Sequence, residues 1–127
     1  MMRKDKMQIQ KLDCELTVCK VDSIDDINTD SELFFIGRTD EEISLVCRTA
    51  DTPQNTSARE DGWKAFRISG TLDFSLIGIL SRITDILAKN DIGVFAVSTF
   101  NTDYILVKRE NFEKALSALA GSGYEVI

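Results

Sequence analysis

At 127 residues, with 43% hydrophobic and 28% charged residues and a net charge of −6, the chain has the make-up of one compact soluble domain or two very small ones. The acidic balance excludes general nucleic-acid binding, which needs a basic surface to displace counterions from phosphates, and excludes docking on an anionic membrane. Histidine is absent, which removes Ser-His and Cys-His nucleophile pairs and imidazole metal ligands.

Residues 1–11 read as a polar, basic tail (Arg3, Lys4, Lys6, Lys11) without the apolar core of a signal peptide. No run approaches the roughly 20 apolar residues that span a bilayer, so a cytoplasmic location is expected. Leu12–Val21 alternates loosely between apolar and polar residues and predicts a first strand, half buried. Cys14 and Cys19 lie five apart, on opposite faces of such a strand. With Cys47 they match no zinc spacing and no disulfide framework, so three reduced thiols packed as small apolar groups are expected, with no metal and no cofactor. Asp22–Asn28 has room for one helical turn with Ile24 and Ile27 facing inward. Ser31–Arg38 and Ile43–Arg48 predict two more strands, joined at Thr39-Asp40-Glu41-Glu42 as a hairpin. Residues 49–61 are polar and hold Pro53, and read as the one clear boundary. A second helix belongs about there and helical periodicity is lacking, so the N-terminal half looks shortened.

The signals sharpen after residue 61. Trp63–Ser69 is a predicted strand. Asp73 or Ser75 is suited to cap a helix whose apolar face is Leu76, Ile79, Leu80, Ile83 and Leu87, with Ile86 alongside and Gly78 inside the same run. Asn90-Asp91 ends it. Ile92–Thr99 and Tyr104–Val107 predict strands apolar on both parities, which implies that both sheet faces are buried, the second by the N-terminal half or by another copy. Edge strands there suit pairing across a two-fold axis, so a homodimer is expected. Glu110 or Asn111 opens a second helix with Phe112, Ala115, Leu116 and Leu119 on one face, stopped by Gly121 and Gly123, and Tyr124–Ile127 is a last strand. This order, β-α-β-β-α-β, is an α+β, ferredoxin-like unit. The N-terminal half reads as a weaker repeat of it. The expected division is a tail over 1–11, a shortened unit over 12–61 and a complete unit over 62–127.

Two polar segments carry the chemistry. The strand-to-helix turn at 73–78 offers backbone N–H groups to an anion such as a carboxylate. Ser98-Thr99-Phe100-Asn101-Thr102-Asp103 offers hydroxyls, an amide and a carboxylate to an ammonium or guanidinium group. Side by side they would receive a small zwitterion. Each residue also has a plainer reading: Gly78 permits close helix packing, Asp103 is a hairpin turn residue, Ser98 and Thr99 bond local backbone, and Phe100 is core. The acidic runs Asp25-Asp26 and Asp40-Glu41-Glu42 read as solvated faces. Gly121-Ser122-Gly123 ends a helix and so matches no phosphate loop. No nucleophile motif is present, and no enzymatic activity is expected.

The run from Gly70 to Leu80, followed by Ile92 to Val107 with its Ser98-Thr99-Phe100-x-Thr102-Asp103-Tyr104-x-Leu106-Val107 signature, resembles the ACT domain. It is nearest to the branch shared by small bacterial ACT proteins and the CASTOR-type cytosolic arginine sensors. Residues 34–47 resemble the segment that precedes it there, and the likeness covers roughly residues 12–127. It implies two tandem ACT-like units, the N-terminal one shortened, acting as a non-catalytic regulatory ligand sensor. A free amino acid, arginine and lysine among the candidates, would sit at an interface between units. Its contacts would come from Phe74, Ser75, Leu76, Ile77 and Gly78 in the turn and from Ser98, Thr99, Phe100 and Asp103, with Asp103 at the ligand's cationic end. The output would pass to an unidentified protein partner. The alternative is a structural or protein-interaction ACT module that has lost its ligand.

Overall fold

The computed structural model of the chain describes residues 7–69 and 78–127. The described residues form strands β1 (Gln8–Lys11), β2 (Leu16–Val21), β3 (Phe34–Arg38), β4 (Ile43–Arg48), β5 (Thr56–Ile68), β6 (Phe95–Ser98), β7 (Asp103–Lys108) and β8 (Glu125–Val126), with helices α1 (Ile79–Lys89) and α2 (Phe112–Gly121). They fall into two compact units: Cys14–Trp63, and Met1–Asp13 together with Lys64–Ile127.

In the unit Cys14–Trp63 the strand order is β3-β4-β2-β5, antiparallel throughout. The links from β2 to β3 and from β4 to β5 each hold a single 3-10 turn, at Ile24–Asp26 and Thr49–Asp51. Cys19, Val21, Ile27, Leu45 and Cys47 form the core, with Ile24, Phe34 and Ile43 packed on it. The expected hairpin and the inward Ile24 and Ile27 are therefore found. Thr39 closes the hairpin, its Oγ1 accepting from the N–H groups of Glu41 and Glu42. Buried Thr17 donates its hydroxyl to Asp61 Oδ1 at 2.7 Å, which satisfies a polar group that would otherwise destabilise the interior. Two expectations change. The strand predicted over Leu12–Val21 starts only at Leu16. The polar boundary over 49–61 holds the first half of β5, whose exposed Ala58, Arg59 and Glu60 pair with β2 through backbone groups and need no large apolar side chains to do so.

In the other unit the strand order is β8-β1-β5-β7-β6. Residues 8–11, expected as part of a tail, are a strand set between β5 and β8. It runs antiparallel to β5 (Ile9 opposite Ile68) and parallel to β8 (Ile9 opposite Val126). Ile9 is fully buried, and this side chain is what holds the segment in the sheet. Ser69 N–H donates to Gln8 O at 2.9 Å, Glu125 N–H to Met7 O at 2.9 Å, and Ile127 N–H to Ile9 O at 2.8 Å. The core joins Ile9, Phe66, Ile68, Ile105 and Val107 from the strands to Ile79, Ile83, Leu87, Phe112, Ala115, Leu116 and Leu119 from the helices. Strand alternation puts Ala65 and Leu106 on the opposite, helix-free face, where they too are fully buried.

Helix α1 begins at Ile79, later than the periodicity suggests. Its N-cap is Gly78 at φ 83°, a left-handed conformation that glycine adopts without a steric penalty. Asp73 and Ser75, the expected caps, lie outside the described residues. At the other end Asn90 closes the helix as expected, its Nδ2 donating to Ile86 O at 2.8 Å. Helix α2 ends at Gly121, and Gly123 takes φ 103° just beyond. Among the described residues no helix is long and apolar enough to cross a membrane.

Candidate functional site

The β6–β7 hairpin positions most of the second polar segment. Its register sets Ser98 opposite Asp103 and Val97 opposite Tyr104, so Asp103 is the first residue of a strand and not the turn residue that its composition suggests. Thr99 closes the loop. Its N–H donates to Thr102 O at 2.8 Å, and its hydroxyl donates to the same oxygen at 2.9 Å while accepting from Thr102 N–H at 3.3 Å. This is the local backbone bonding weighed for Thr99. Ser98 differs: its hydroxyl donates to Asp103 Oδ1 at 2.6 Å, a short charge-assisted bond that fixes the carboxylate's orientation. Among the described residues Asp103 has no cationic partner. Phe100 is not core. It sits on the exposed loop tip with 81% of its surface open to solvent.

One buried side chain passed over as a site residue places this hairpin. Thr102 Oγ1 donates to Ile68 O at 2.8 Å, so the loop of the hairpin is tied to the last residue of β5, where the chain departs toward α1. The sequence signal was a hydroxyl among polar loop residues, which does not reveal burial.

At the start of α1, Gly78 O accepts the first helical bond from Arg82 N–H at 2.9 Å. Gly78 has no side chain, and a Cβ built there would lie 3.4 Å from Arg82 Nη1, so the guanidinium lies over the cap. The backbone N–H groups of such a first turn have no partner within the helix and favour an anion. Of the other residues expected at this turn, Phe74, Ser75, Leu76 and Ile77 lie outside the described residues. The structure thus brings together Ser98, Thr99 and Asp103, sets Phe100 at the tip beside them, and places Gly78 at the helix cap. One cleft of about 400 Å³ is lined by Met7, Arg82, Asp85, Ile86, Ser122, Gly123 and Tyr124, and Gly78 and Asp103 line neither this nor the cleft that holds Thr99. Among the described residues no three His, Cys, Asp or Glu side chains group as a metal site. What the arrangement offers is an oriented carboxylate for a cation and a helix start for an anion.

Comparison with known proteins gives this geometry a family context. A family model described as ACT domain matches residues 58–121. Among solved structures, protein Atu0741 from Agobacterium tumefaciens superposes with a TM-score of 0.84 at 29% identity, over 96% of this chain and 92% of that one. A Vibrio cholerae protein of unknown function, VC0802, described as a possible transport protein, gives 0.72 at 20% identity over 92% and 90%. The regulatory subunit of aspartate kinase from Thermus thermophilus, in its ligand-free form, gives 0.64 at 9% identity over 92% and 97%, a likeness of fold.

Proposed function

The chain belongs to the ACT-domain family, and from that premise we propose that it is a regulatory module that binds a free amino acid between ACT units and performs no catalysis. The observation that carries this reading is the bond from Thr102 Oγ1 to Ile68 O. It ties the loop beside the Ser98–Asp103 pair to the last residue of β5, and α1 is the next described helix along the chain. The ligand's carboxylate faces the first turn of α1, where Gly78 presents backbone without a side chain and Phe74, Ser75, Leu76 and Ile77 complete the contact. Its cationic end faces Asp103, which Ser98 orients. Among amino acids this favours one with a charged side chain, arginine or lysine, as the likeness to the CASTOR-type arginine sensors suggests.

The unit Cys14–Trp63 is read as a shortened ACT-like unit. Its order β5-β2-β4-β3, with turns between β2 and β3 and between β4 and β5, follows the βαββαβ plan with a 3-10 turn in place of each helix. β5 then closes one unit and opens the next. A second copy completes the interface: β6 pairs only with β7 among the described strands, and the exposed Val94 and Phe100 flank its open edge. The solved regulatory subunit of aspartate kinase supports an output through a separate protein partner. The free cysteines Cys14, Cys19 and Cys47 fit a reducing, cytoplasmic setting.

A thermal-shift screen against the twenty amino acids tests the reading. A true ligand at a hundred times its Kd adds about 2.7 kcal/mol, which at this chain length raises the melting temperature by roughly 10 °C. No shift with any amino acid would overturn it.

A further inference from the structure

On the helix-free side of the same unit lies a second polar cleft, of about 230 Å³, lined by Gln10, Arg67, Ile68, Thr99, Asn101, Thr102 and Tyr104. Arg67 is the one charged residue in this lining, set in a strand between the fully buried Phe66 and Ile68. Two neutral acceptors hold its guanidinium. Nε donates to Gln10 Oε1 at 3.0 Å, and Nη1 donates to Tyr104 OH at 2.9 Å. The Tyr104 ring lies 5.7 Å from the guanidinium carbon. A guanidinium has five N–H donors. These two bonds use two, which leaves three, both of those on Nη2 among them. Among the described residues no carboxylate pairs with Arg67. In a chain of net charge −6, an arginine braced by neutral groups and left without an acid is arranged for a partner from outside. Asn101, whose side chain makes no hydrogen bond among the described residues, adds an amide donor at the rim.

We propose that this cleft binds a small oxyanion, a carboxylate or a phosphate, on Arg67. The planar fork of a guanidinium matches two oxygens of either group at once, which a lysine does not. The volume limits the ligand to a few heavy atoms beyond the anionic group, since drug-sized ligands need roughly 300 Å³ or more. The cleft shares Thr99 with the expected amino-acid contacts, but it needs no ammonium group and no second copy, and strand alternation puts Arg67 and Asp103 on opposite faces of the sheet.

The test is a titration of the full chain with inorganic phosphate and, separately, with succinate, at constant ionic strength, followed through the Arg67 Nε–H resonance by NMR. A saturable shift with one anion assigns the class, and a shift with both assigns oxyanions generally. Arg67→Gln should weaken the response about tenfold or more, the size of a lost charge-assisted bond, as read from the remaining cleft amide signals. Arg38→Gln, which removes an equal charge from the other unit, should leave it unchanged. Should Arg67→Gln fail to fold, Asn101→Ala at the exposed rim should weaken the same titration several-fold. No saturable response to either anion, or one that persists in Arg67→Gln, or in Asn101→Ala where only that variant folds, overturns the proposal.

Discussion

Cys19 and Cys47 show what burial does to a single side chain. Burial, with Cys47 beside it, pushes the Cys19 thiol up to about 11 from an ordinary value of 9.0, and burial also raises Cys47. A thiol whose folded value lies above its unfolded one contributes nothing to the pH dependence below about pH 9. Between pH 9 and about 11 the unfolded chain loses the proton while the folded chain keeps it, so stability falls as pH rises. Denaturant titrations should therefore give a lower unfolding free energy at pH 10.5 than at pH 8, and Cys19→Ala should flatten that difference. Thiol labelling at pH 8 should modify Cys14 in the folded chain and reach Cys19 and Cys47 only after unfolding; rapid labelling of all three would contradict it. Packed thiols at Cys19 and Cys47 could be read from the sequence, whereas Cys14, read the same way, is only half buried. The placement of Phe100 could not be read. An aromatic residue between apolar strands reads as core, and only the hairpin register shows that it occupies the loop tip.

The elements with local signals were the legible ones. The apolar stripes of α1 and α2, the β3–β4 hairpin and the ending of α1 at Asn90 follow from spacing and turn chemistry within short windows. β1 and the first half of β5 are the failures, and both are non-local. Gln8–Lys11 is too short and too basic to announce a strand, and the partners that order it, Ile68 and Val126, lie far along the chain. The first half of β5 is polar on its exposed positions and pairs through backbone. The inserted strand gives an element-scale prediction. Ile9→Ala should cost about 2–5 kcal/mol, the range for truncating a fully buried aliphatic side chain. It should also loosen β8, whose described strand neighbour is β1. The exposed neighbour Lys11→Ala should change stability by no more than about 0.5 kcal/mol. Equal melting temperatures for Ile9→Ala and the parent would show that β1 contributes little to the fold.

For the whole molecule, the central question is how copies meet. The ferredoxin-like plan of the C-terminal unit was legible as an order of elements. Its completion was not, because an open strand edge and a solvent-facing phenylalanine are properties of the folded surface. If β6 meets its counterpart in a second copy, the parent chain sediments as a dimer, and Phe100→Glu, which places a charge at the flank of the contact, shifts it towards monomer at the same concentration. A dimer unaffected by Phe100→Glu would move the interface elsewhere. The most direct measurement combines this assembly with its proposed ligand. It is a calorimetric titration of the amino acid giving the largest thermal shift, against the parent chain and against Asp103→Asn. Saturable binding that weakens about tenfold or more in Asp103→Asn, the cost of losing one charge-assisted hydrogen bond, is the expected result. Equal affinity in both proteins, or no heat from any amino acid, would contradict a zwitterion held between Asp103 and the start of α1.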